Sequence, residues 1–124
     1  MTDEIALAGF RNWVLSVLAT LSATVEDQRQ YLRENGVGLD EIFLQLDDVM
    51  YISRSRVDDG TLDREHFALL EGFSRQVFEF GESIPVGGWT LDFVESVESW
   101  GALRRSAQRV ADVLGGAWAE DILE

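Results

Sequence analysis

The sequence predicts an all-α protein: one domain, residues 1–124, folded as an antiparallel four-helix bundle with a short C-terminal extension. Three observations predict it. Apolar residues recur at steps of three and four, the period of one helical face. No run alternates apolar and polar residues long enough to form a half-buried strand. The single proline, Pro85, leaves long stretches unbroken. Glycines fall between those stretches, at Gly36 and Gly38, Gly60, Gly81, Gly87 and Gly88, and Gly115 and Gly116, where helices are expected to stop.

The first helix is expected over about residues 3–33. Leu7, Phe10, Val14, Val17, Leu18, Leu21, Val25 and Leu32 form its apolar face. The second, about residues 40–56, places Ile42, Phe43, Leu46, Val49 and Met50 on one side. The third, about residues 62–80, carries Phe67, Leu70, Phe73 and Val77. The fourth, about residues 91–114, carries Phe93, Val97, Trp100, Leu103, Ala107, Val110 and Leu114. Thr2, Thr61 and Thr90 each precede an acidic turn and read as N-caps. The tail AWAEDILE is expected to add a short turn. Residues 83–89, with the proline and paired glycines, form the most irregular connection. Short loops between four helices favour up-down packing.

Composition sets the functional classes. Hydrophobic residues make up 46%, enough for a packed core, so a disordered acidic tail is excluded. Without cysteine there are no disulfides, thiolate metal sites or cysteine nucleophiles, which suits the cytoplasm. The start, MTDEIALAGF, is acidic and does not read as a secretory signal. The apolar run from Trp13 to Ala23 is interrupted by Ser16, Thr20 and Ser22 and reads as too short to span a bilayer. Charge carries the strongest functional signal: 23 Asp and Glu face 10 Arg, with no lysine, for a net charge of −13. Such a surface steers a basic partner and repels phosphate, so direct nucleic-acid binding is disfavoured.

The motifs that might carry chemistry are weak. Asp59 to Phe67 looks like the second half of a calcium loop. With Gly60 at the sixth position, Val57 and His66 fall where calcium needs oxygen ligands, so a helix–turn–helix corner is the better reading. Asp63 and His66 have the spacing of half a di-iron site, but His66 is the only histidine. It lies on the face of Leu70, Phe73 and Val77 and reads as a hydrogen-bonded core residue. A dyad of His66 with Ser74 or Ser55 lacks any sign of an oxyanion hole. The adjacent pairs Glu26-Asp27, Asp40-Glu41, Asp47-Asp48, Asp58-Asp59 and Glu120-Asp121 point about 100° apart on a helix and read as solvated faces. Arg104 projects toward an apolar stripe and is expected to snorkel to its edge. No catalytic residue, metal ligand or cofactor is assigned.

The second helix is more informative. Opposite its core face, Asp40, Glu41, Asp47 and Asp48 surround Leu44 and Tyr51. An apolar or aromatic anchor inside a charged rim is how protein interfaces are built. The candidate partner-binding surface is therefore Asp40, Glu41, Leu44, Asp47, Asp48 and Tyr51, with Asp58, Asp59 and Asp63 at the adjoining corner.

The last third, with Trp89-Thr90-Leu91, the stretch from Trp100 to Arg105, Ala107 and Leu114, resembles the close of small acidic all-helical actinobacterial proteins. Several such families are similar to toxin-immunity proteins. The resemblance implies an acidic bundle that covers the active surface of a basic protein, such as a nuclease-type toxin. The leading expectation is thus a non-enzymatic binding module for a basic protein. The alternatives are a ligand-binding or enzymatic domain with a pocket near His66, and a homo-oligomer packed through Leu44 and Tyr51 or through Trp13 and Leu15.

Overall fold

The computed structural model describes residues 2–123, with side chains over residues 4–120. The cap expected at Thr2 and the Asp121 half of the last acidic pair lie outside the described side chains. Six helices follow in order: α1 (Thr2–Ser22), α2 (Val25–Asn35), α3 (Leu39–Asp58), α4 (Arg64–Ser83), α5 (Leu91–Val94) and α6 (Glu98–Leu123). Among the described residues there is no strand, so the all-helical expectation holds. The expected first and fourth helices are each broken in two.

The first break falls at Ala23 and Thr24. Thr24 is extended, with φ −63° and ψ 157°, and its hydroxyl accepts the Asp27 N–H at 3.1 Å. Glu26 and Asp27 then occupy the first turn, where carboxylates favour the positive end of a helix. The apolar spacing runs across this corner from Leu21 to Val25, which is why periodicity alone missed it. Two side chains serve the carbonyls that the corner leaves without helical partners. Gln28 Nε2 donates to Thr20 and Leu21 at 3.1 and 3.2 Å, and Arg104 Nε donates to Ala23 at 2.8 Å. Arg104 therefore does not simply snorkel; it closes the α1–α2 corner from α6.

Gln28 is fully buried, and its Oε1 accepts the Trp100 indole N–H at 3.2 Å. One amide side chain thus joins α1, α2 and α6. α2 ends on Gly36 in the left-handed region, φ 62°, and the Val37 N–H reaches back to Leu32 at 3.1 Å.

The second break separates α5 from α6. Thr90 caps α5 as expected, accepting the Phe93 N–H at 3.3 Å. After Val94 the Ser96 hydroxyl donates to the Phe93 carbonyl at 2.8 Å, a local bond that competes with continued helix. Arg29 of α2 donates to both Asp92 and Glu95 and ties this short helix down. Its guanidinium pKa is raised, first by the hydrogen bond to Asp92.

At the α3–α4 corner Gly60 takes φ 80°, as the turn requires. The cap of α4 is Asp63, not Thr61: its carboxylate accepts the Glu65 N–H at 2.7 Å. Thr61 instead donates its N–H and hydroxyl to Asp59, at 3.0 and 2.6 Å.

Gly81, Gly115 and Gly116 do not stop helices. α4 runs through Gly81 to Ser83, and α6 runs through both glycines to Leu123. A Cβ on Gly81 would lie 3.3 Å from the Trp89 ring, so the bare backbone there makes room for the indole. Beyond Gly116, the helix continues and Trp118 is buried, so the start of the tail belongs to α6 and its Trp118 to the core.

Buried residues from five of the described helices form one cluster, against which α2 packs its half-buried Val25, Tyr31 and Leu32. α1 packs on α6 and α3, and α4 packs on α3 and α6, so these four close a ring around it. Phe43, Phe80 and Trp100 meet within it, with Phe43–Trp100 and Phe80–Trp100 centroids 6.0 and 5.3 Å apart. By length and composition Glu4–Ser22 of α1, a longer segment than the run from Trp13 to Ala23, is apolar enough to cross a membrane. In this fold its Phe10, Val14, Val17, Leu18 and Leu21 are buried in the shared core.

Candidate binding face

The outer face of α3 follows from its inner one. Ile42, Phe43, Leu46, Val49, Met50 and Ser53 are buried, and at 100° per residue the opposite ridge is Asp40, Leu44, Asp47, Tyr51 and Asp58. Leu44 is 51% exposed and Tyr51 77% exposed. Asp40, Asp47 and Asp48 are exposed and Glu41 is half-buried. Among the described residues none of these four carboxylates has a hydrogen-bond or ion-pair partner. The outer face of α3 thus carries acidic side chains around two large exposed ones.

The adjoining corner is different. Asp58 is exposed. Asp59 and Asp63 are not idle acids: Asp59 accepts both donors of Thr61, and Asp63 caps α4. The two Thr61 bonds hold the Asp59 carboxyl below its ordinary range, with a smaller contribution from the nearby Arg56 charge. A carboxylate whose folded pKa is depressed stabilises the fold above its ordinary pKa, and that contribution is lost as pH falls through the lowered value. Asp59→Ala is therefore expected to lower the melting temperature at neutral pH, and the gap from wild type is expected to close in acid. Melting curves across the acid range check this; a pH-independent gap would contradict it.

A second feature lies beside α3 that residue patterning did not reveal. Between α3 and α4 is a groove of about 310 Å³, lined by Phe43, Val77, Phe78 and Trp89, with Asp47 and Glu82 among its polar lining residues. Phe78 follows the buried Val77, lies off the apolar stripe of α4, and is 67% exposed. Trp89 is 39% exposed and stands edge-on to Phe43, centroids 5.2 Å apart. It is held by the turn before it. Gly88 N–H bonds Pro85 at 2.9 Å and Gly87 has φ 88°, the positive value a type II turn needs at its third residue. The signal available in the sequence was the one used for Leu44 and Tyr51: a large apolar residue off its helix's stripe.

His66 is half-buried, with its ring edge-on to Trp118 at 6.2 Å. No hydrogen bond to it is found among the described residues, so it is a packing residue rather than the hydrogen-bonded core histidine expected. It lines neither the α3–α4 groove nor the hollow of about 340 Å³ between α1 and α6. Trp13 and Leu15, expected to face outward, are half-buried against the core. Among the described residues no group of three or more Asp, Glu and His side chains is placed to hold a metal ion.

Comparisons with protein-family models, with curated proteins and with solved structures find no match. The surface itself therefore carries the functional reading.

Proposed function

We propose that this chain is a non-enzymatic acidic module that binds a basic protein through the outer face of α3. The observation that carries the reading is the combination of exposed Leu44 and Tyr51 with Asp40, Asp47 and Asp48, none of them paired within the described fold. Unpaired carboxylates gain attraction on docking an Arg- or Lys-rich surface, and the two large side chains supply the desolvated centre. A net charge of −13 speeds encounter with such a partner.

The closed ring of α1, α3, α4 and α6 supports reading these four as the antiparallel bundle that presents this face. In its narrower form the proposal is an immunity-type inhibitor acting in the cytoplasm, which covers the active surface of a bacterial toxin. The acidic charge and the resemblance of the last third to such proteins support that form.

Capture from the native organism, followed by mass spectrometry, tests the reading. The dominant partner is expected to be basic, with a pI of about 9 or more. Its capture is expected to be lost when Asp47 and Asp48 are both changed to Arg. A neutral or acidic partner, or one retained by the reversed protein, would contradict the proposal. For the narrower form, the captured protein is expected to be toxic when expressed alone and harmless when this chain is co-expressed.

A further inference from the structure

The geometry points to the α3–α4 groove as the socket for an Arg-bearing apolar segment of the partner. The inference rests on the acidic-module reading above and adds where specificity lies. Asp47 belongs both to the outer ridge of α3 and to the groove lining, so the two surfaces are continuous. The walls are apolar and aromatic, whereas Asp47 and Glu82 are exposed carboxylates. Among the described residues neither has an ion-pair partner.

Each part of this arrangement selects one part of a ligand. A hollow of about 310 Å³ takes a large apolar side chain from a protein segment. The exposed rings of Phe78 and Trp89 accept a guanidinium over their faces, and Asp47 and Glu82 offer it carboxylate oxygens. Arginine meets both demands, because its planar fork stacks and pairs at once.

Charge argues against other occupants. A second copy would bring another −13 to the same acidic surface. An anionic lipid surface would meet the same repulsion. The occupant we infer is therefore a basic, amphipathic protein segment, and the groove distinguishes it from a segment that is merely basic.

Two synthetic peptides of equal length and equal positive charge test this. One alternates Leu and Trp with Arg; the other replaces its Leu and Trp with Ser. Affinity is measured by calorimetry at low salt, and the site is mapped by amide chemical shifts. The Leu/Trp/Arg peptide is expected to bind about ten-fold tighter or more, a difference of about 1.4 kcal/mol. Its largest shifts are expected at Asp47, Val77, Phe78, Gly81 and Trp89. Phe78→Ser is expected to erase its advantage without lowering the melting temperature, since Phe78 is already mostly exposed.

Equal binding of both peptides, with shifts spread over the exposed acids, would overturn the groove and leave the acidic module standing. So would an advantage that maps to Leu44 and Tyr51 and survives Phe78→Ser. Binding of neither peptide at low salt would overturn both readings. Sedimentation of the free protein as a dimer that Phe78→Ser dissociates would assign the groove to a second copy instead.

Discussion

Replacing Gln28 with Ala is expected to lower the unfolding free energy by about 2–4 kcal/mol. The side chain is fully buried and completes three hydrogen bonds: two to the carbonyls of Thr20 and Leu21 and one from the Trp100 indole. Alanine leaves a buried N–H without an acceptor, two carbonyls without that donor, and a cavity where the amide was. Leucine fills the volume but not the bonds, so it is expected to rescue only part of the loss. Trp100→Phe removes the indole donor from the other side. A double-mutant cycle between Gln28 and Trp100, measured by urea unfolding, is expected to show coupling of about 1–2 kcal/mol. Additive effects would mean that the amide does not join α2 to α6.

The second large effect is on binding. Tyr51→Ala is expected to weaken binding of the proposed basic partner by about 2 kcal/mol, close to thirty-fold, mostly through faster dissociation. Tyr51 is 77% exposed in the free protein, so truncation removes an anchor without opening the core. An unchanged melting temperature with a shorter complex lifetime is the expected pair of results. An unchanged lifetime would move the centre of the interface off the α3 ridge.

Tyr51 shows what the sequence made legible. The inner face of α3 is governed by helical period alone. Ile42, Phe43, Leu46, Val49 and Met50 are buried, and Leu44 and Tyr51 are left outside as expected. Periodicity is a statement about faces, and it is strongest on a long amphipathic helix. It says little about where a helix stops when the apolar spacing continues across the stop. The corner at Thr24 was written in Thr24-Val25-Glu26-Asp27, a capping pattern, but the run from Leu21 to Val25 masked it.

The glycines misled for the opposite reason. Gly81 and Gly115 read as terminators, yet each sits inside a helix. Gly81 lies against the Trp89 ring and Gly115 faces Leu15 of α1. Close approach between elements uses the same residue as chain reversal, and only the tertiary partner tells them apart. Gln28 was not legible either, since a polar residue on a short helix reads as solvated until its partners, including the Trp100 indole 72 positions away, are placed beside it. The groove needed α3, α4 and the 83–89 connection together, and no single segment announces such a meeting. The corner acids were legible as residues but not as roles: Asp59 and Asp63 are engaged by backbone and side-chain donors of their own turn.

The central claim is that exposed, unpaired carboxylates on the outer face of α3 steer a basic partner. Association rates of wild type and of the Asp47→Arg, Asp48→Arg double variant with that partner, at low and high salt, test it most directly. Exposed charges act over a Debye length of about 10 Å at 0.1 M salt, so their effect fades as salt rises. At low salt the double variant is expected to associate at least about ten-fold more slowly than wild type, and at high salt the two rates are expected to converge. Equal association rates at both salt concentrations, from two proteins of equal stability, would contradict it.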